Sequence, residues 1–206
     1  MLSGVLVLRW RGEIMRFFFM CSMMMVSVIV LVACPAPKAD VPDPAEATRV
    51  HVGEKAPDFR IETLSGETFS LAAERGNVVL ISFFATWCPP CREELPHLER
   101  EVWNKFKDGP FRLLAVGREE TPEKLGAFAE KMALSFPVAA DPDRSIYAKY
   151  AEAYIPRLFL IDPDGVVLFE SSDFEPGEFE KMKRMLAEAL RGMENTGPLA
   201  EERKAS

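Results

Sequence analysis

From Val52 onward, short apolar runs alternate with stretches of helical period. The segment "APDFRIETLSGETFSL" (residues 56–71) predicts two short strands joined by a turn at Ser65-Gly66. "VVLISFFA" (residues 78–85) is continuously apolar and rich in β-formers, as expected of a strand buried on both faces. After it, Leu95, Leu98, Val102 and Phe106 recur at helical spacing between Pro90 and Lys107. "FRLLAVG" (residues 111–117) predicts a second buried strand. Thr121 then caps a helix that has Pro122 at its first position. "FPVAAD" leads into a short helix within "RSIYAKYAEAY". Residues 157–171 predict a hairpin that turns at Asp162-Pro163-Asp164-Gly165. A closing amphipathic helix is predicted over 176–191, stopped by Gly192, with a frayed tail over 193–206. No internal repeat is present. Strands alternating with helices and then a hairpin imply an α/β fold with a mixed central sheet.

The first 34 residues follow a different pattern. Arg9, Arg11 and Arg16 precede a charge-free apolar run from Phe17 to Ala33, 17 residues long. That is short of the roughly 20 residues a bilayer span needs. A basic start followed by an apolar segment reads as an export signal, and Met15 would also serve as a compact start. Its end, "LVAC" (residues 31–34), resembles the lipobox of bacterial lipoproteins, which implies cleavage before Cys34 and lipidation of its thiol. The alternative is an uncleaved anchor. Either way the domain faces outward. Residues 35–50, rich in Pro, Ala and Asp, predict a flexible tether, and residues 51–192 the folded domain.

Composition narrows this further. At 206 residues the chain can bury one good domain, with 48% hydrophobic and 28% charged residues. A formal net charge of −7 speaks against nucleic acid as a partner. Of four cysteines, Cys21 and Cys34 belong to the leader, which leaves Cys88 and Cys91 as the thiols of the domain. With two residues between them, they could be a metal clamp, a permanent disulfide or a redox pair. A zinc site needs about four ligands. There is no second Cys pair, and the only histidines are His51 and His97.

"FFATWCPPCREELP" followed by "YIPRLFLIDPDG" resembles the thioredoxin superfamily, and within it the membrane-tethered TlpA/ResA-type thiol–disulfide oxidoreductases. The likeness runs from about Val52 to Arg191. It implies a thioredoxin-like fold: a central mixed sheet flanked by helices, with an N-terminal strand pair and a helix-bearing central insertion. It implies Cys88 as the attacking thiol, favoured by the helix N-terminus, and Cys91 as the more buried resolving thiol. By the same likeness Trp87 flanks the thiols, the Ile155–Pro156 bond is cis, and Ile155 meets the substrate backbone. Glu94 matches an acidic position near the thiols and would exchange a proton with Cys91; the alternative is a surface charge on the first turn. The acid that thioredoxins bury six residues before the first Cys is Ser82 here. Where many members carry Thr after the proline, this chain has Arg157, either a cation near Cys88 or a solvated side chain. The acidic stretch over 118–123 reads as a solvated helix start.

The implied function is reduction of partner-protein disulfides in the cell envelope, with no cofactor and no metal. The implied partners are envelope disulfides or dithiols, a membrane electron donor and the lipid bilayer. Family members commonly act in cytochrome c maturation. Two alternatives stand beside this. One is a peroxiredoxin-like thiol peroxidase, although those proteins carry Thr where this chain has Ala85. The other is a non-catalytic metal or copper-delivery protein.

Overall fold

The computed structural model describes residues 42–196. Cys34, the leader and the first part of the expected tether lie outside the described residues, as does the end of the expected tail.

Strands β1 (Arg60–Glu62) and β2 (Thr68–Ser70) form the expected antiparallel pair, turning through Gly66 at φ +82°. A single 3₁₀ turn, Leu71–Glu74, leads to β3 (Val78–Phe84), in which every residue is buried. Helix α1 follows in three consecutive pieces, Pro89–His97, Leu98–Trp103 and Asn104–Phe106. The middle piece is π-helical. Pro96 lies inside the first piece, where it can neither donate its missing N–H nor clear the preceding turn. The widened turn begins two residues beyond it, a familiar response to a broken hydrogen-bond ladder.

Strand β4 (Phe111–Arg118) is followed by α2 (Pro122–Lys131), with Thr121 accepting a capping hydrogen bond from the Lys124 N–H. Then come β5 (Val138–Asp141), the short α3 (Tyr147–Tyr150), β6 (Arg157–Ile161), β7 (Val167–Ser171) and α4 (Pro176–Thr196). The five-stranded sheet has the order β5-β4-β3-β6-β7. Strand β3 pairs parallel with β4 and antiparallel with β6, so the sheet is mixed and β3 sits at its centre.

Alternation along β3 divides the core. Val78 and Leu80 face Leu95, Leu98 and Val102 of α1 and Met182 and Leu186 of α4. Val79, Ile81 and Phe83 face Phe59, Phe69, Tyr147 and Tyr150 on the other side. On that second face the rings of Phe83 and Tyr147 meet edge to face at 5.3 Å.

Two expected boundaries move. Residues 42–50, read as tether, lie against the domain, with Ala47 and Val50 buried and Thr48 bridged to Ala151. Proline-rich composition foretold an unstructured spacer, but carbonyl groups of this segment find donors on the domain. At the other end, α4 continues through Gly192 to Thr196. A helical glycine costs about 1 kcal/mol, and the contact of Met193 with the core offsets it.

Candidate active site

Strand β3 ends at Phe84, and after three intervening residues the chain enters α1 with Cys88 as its N-cap in extended conformation. Pro89 and Pro90 fill the first two helical positions and have no N–H to offer. The first free N–H of the helix is therefore that of Cys91, and it points at Cys88 Sγ from 3.3 Å. The prolines thus leave one donor, aimed at one sulfur, at the positive end of the helix dipole. The two sulfurs are joined in a disulfide, with the Cα atoms 5.3 Å apart. Cys88 retains 3% exposure and Cys91 none, so of the two cysteines Cys88 lies nearer the surface. Trp87 stands beside it, 58% exposed.

The Ile155–Pro156 peptide is cis, in keeping with the family resemblance. The Ile155 carbonyl oxygen lies 3.6 Å from Cys88 Sγ, so the loop before β6 and the start of α1 form one site. Arg157 is neither a cation beside Cys88 nor solvated. It pairs across the sheet with Phe83, which puts its side chain on the face opposite α1. There it is 1% exposed. Its guanidinium donates to the Ala153 carbonyl at 2.9 Å, the Thr48 hydroxyl at 2.7 Å and the Pro44 carbonyl at 3.1 Å.

Glu94 is not a surface charge. It lies one helical turn beyond Cys91 on the same buried face of α1, fully buried. Its Oε1 accepts a hydrogen bond from the Ser82 hydroxyl at 3.1 Å, and its Oε2 has no partner. Burial pushes the carboxyl up from 4.5 to about 8; the Ser82 hydrogen bond opposes this and the nearby Asp173 charge adds to it. At neutral pH Glu94 therefore carries a proton.

A further residue at this site escaped the sequence reading. Glu120, in the stretch expected to be solvated, is 2% exposed. It accepts from the Thr86 N–H at 2.8 Å and from the Thr86 hydroxyl, and pairs on its outer side with Lys124. It therefore clamps the loop that carries Trp87 and Cys88 to the start of α2. No spacing rule would have marked it. A carboxylate just before a helix cap is common on surfaces. Elsewhere on α1, His97 hydrogen-bonds Glu101 at 2.6 Å and packs against Phe174. Among the described residues, no three His, Cys, Asp or Glu side chains gather as a metal site would require.

Comparison with known proteins agrees with this geometry. The sequence profile of the AhpC/TSA family matches residues 52–169. A thiol-disulfide oxidoreductase ResA of Bacillus thuringiensis is 33% identical over 124 residues, covering 60% of this chain and 71% of that one. A solution structure described as a protein disulfide isomerase of Bacteroides thetaiotaomicron superposes with a TM-score of 0.68 at 36% identity, covering 70% of this chain and 93% of that one. A crystal structure described as the thiol:disulfide interchange protein DsbE of Chlorobium tepidum gives 0.61 at 30% identity, covering 68% and 99%. With a disulfide at the N-terminus of α1 and these relatives, the chain belongs to the AhpC/TSA family of the thioredoxin superfamily, as a ResA-type thiol–disulfide oxidoreductase.

Proposed function

We propose that Cys88 and Cys91 work as a reducing dithiol on protein disulfides outside the cytoplasm, from a domain held to a bacterial membrane by lipid on Cys34. The observation that carries this reading is the lone first-turn N–H of α1 directed at the sulfur of the less deeply buried cysteine. In the reduced protein that donor and the helix dipole favour the Cys88 thiolate.

The Cys88 thiolate attacks one sulfur of a substrate disulfide; the other leaves as a thiolate and takes up a proton. Cys91 gives up its proton and attacks Cys88 Sγ in the mixed disulfide, expelling the second substrate sulfur. Two electrons pass to the substrate, and the Cys88–Cys91 disulfide remains for a membrane electron donor to reduce. The Ile155 carbonyl and N–H offer an extended substrate backbone a pairing edge beside Cys88, and Trp87 supplies a flat apolar wall. Glu94 is the proton partner of Cys91, accepting its proton in the molecules whose carboxyl is ionised, a fraction that grows as pH approaches 8. A carboxyl near 8 is matched to an ordinary thiol at about 8.5, so a proton moves between them at little cost in either direction. Envelope compartments are oxidising, which makes an electron supplier the useful role there. The disulfide formed by the haem-binding cysteines of apocytochrome c is one substrate class consistent with the ResA resemblance.

Cys88→Ala should abolish reduction of insulin disulfides, whereas Cys91→Ala should accumulate a mixed disulfide through Cys88. Mass spectrometry after incubation with oxidised insulin reads this, and absence of any adduct on Cys91→Ala would defeat the two-step scheme.

Glu94 makes a pH prediction for the oxidised protein. The folded carboxyl keeps its proton up to about pH 8, while the unfolded one releases it near 4.5. The burial penalty is thus absent below about 4.5, grows as pH rises and levels off above 8. Glu94→Gln should therefore gain stability over the wild type between pH 5 and 8.5, on the order of 2–4 kcal/mol. Its thiol-reactivity profile should also lose the coupled step near pH 8. Denaturant melts at the two pH values and thiolate absorbance in the reduced form test both; parallel curves would return Glu94 to a purely packing role.

Cys34→Ser should lose incorporation of radioactive palmitate while the domain is still exported. Equal label in both proteins would exclude Cys34 as the lipid site.

A further inference from the structure

Residues 42–50 touch the domain mainly at one place, the loop over 150–157 that ends in the cis proline. The Tyr154 hydroxyl donates to the Pro42 carbonyl at 2.7 Å, and the Arg157 guanidinium to the Pro44 carbonyl and the Thr48 hydroxyl. The Glu152 N–H donates to the Ala47 carbonyl at 2.8 Å, and the Arg49 N–H to the Tyr150 carbonyl at 2.9 Å. Ala47 and Val50 are buried beneath these bonds, so water does not compete freely for them. Arg49 and Glu152 add an exposed ion pair, which contributes little.

What these bonds hold is an improbable backbone. Tyr154 sits at φ +70°, the left-handed region that a bulky side chain rarely adopts. Such a residue persists when its surroundings over-determine it, and such residues gather at functional sites. Here two opposed bonds fix it. The Tyr147 hydroxyl donates to the Tyr154 carbonyl at 2.6 Å, while its own hydroxyl reaches back to Pro42. The next residue is Ile155, whose carbonyl faces Cys88 Sγ at 3.6 Å. Arg157 fastens the other side of the proline: a fully buried cation whose lost hydration is replaced largely by oxygen atoms of residues 44, 48 and 153.

We infer that residues 42–50 are a strap that sets the position of the Ile155–Pro156 edge against Cys88, with Tyr154 and Arg157 as its fastenings and with recognition of extended protein substrates as its output. These are positioning residues; the strap rests on the reading that Ile155 pairs with the substrate backbone. A disulfide with no peptide backbone has no use for that edge, and this separates positioning from general stability.

The test compares full-length wild type, Thr48→Val, Tyr154→Phe and Arg157→Lys, all reduced, on two oxidants: insulin, and hydroxyethyl disulfide, which has no peptide group. Tyr154→Phe removes one fastening bond without adding bulk. Thr48→Val removes the bond from Arg157 together with the Thr48 hydroxyl's own donation to the Pro44 carbonyl at 2.8 Å, and Arg157→Lys keeps the charge but loses the fork. Each variant should lower kcat/KM for insulin roughly 3- to 10-fold, mostly through KM. Rates with hydroxyethyl disulfide should stay within about twofold of wild type. Equal losses with both oxidants, or no loss with insulin, would overturn the strap. A wild type inert toward both oxidants would instead remove the dithiol reading on which the strap rests.

Discussion

The seating of α1 on the face of β3 is the constraint from which the site follows. Helical spacing places Cys91, Glu94, Leu95, Leu98 and Val102 on one buried face, against Val78, Leu80 and Ser82 of the strand. Burying Leu95, Leu98 and Val102 contributes about 1.5–3 kcal/mol each. Keeping a carboxyl protonated at pH 7 against an ordinary value of 4.5 costs about 3 kcal/mol. The apolar neighbours win, so Glu94 is carried inside with them. A surface position for Glu94 would require turning the whole helix away from the sheet.

The same seating brings the helix N-terminus to the end of β3, where two independent devices act on Cys88. Glu120 holds Thr86, two residues upstream, from the α2 side. The loop ending in Pro156 approaches from the β6 side and presents the Ile155 carbonyl. Neither device touches the sulfur covalently. Each fixes backbone, and a small disulfide ring on fixed backbone keeps the direction of its Cys88 sulfur. Misplacement of reacting groups by about 1 Å can cost 100-fold in rate, so backbone anchoring is a sensible use of buried polar groups here.

The sheet and its helices were legible because they depend on side-chain burial. The run over 78–85 reads as a two-faced strand, and α1 and α4 carry their stripes in the letters. The pairing of Cys88 with Cys91 was legible from their spacing, which by itself left clamp, staple and redox pair open; the family resemblance singled out the redox pair. Ser82 in place of an acid pointed to Glu94, yet the letters left burial and surface both open, since a glutamate in a first turn is usually solvated. The role of residues 42–50 left almost no mark. Most of their bonds run through backbone carbonyls, which every residue type has. Arg157 was misread for the related reason that an arginine in a strand is ordinarily an exposed one; its acceptors lie mostly on a segment more than a hundred positions away.

A redox role for Cys88 and Cys91 requires that they cycle between disulfide and dithiol within an intact fold. Equilibrating the protein with a graded dithiothreitol series, while following both the thiol state and the near-UV circular dichroism, tests it most directly. One two-electron transition is expected, with a tenfold change in the equilibrium constant per about 30 mV and the native spectrum kept on both sides. Reduction that occurs only as the protein unfolds would mark the bond as a structural staple and rule out a redox cycle.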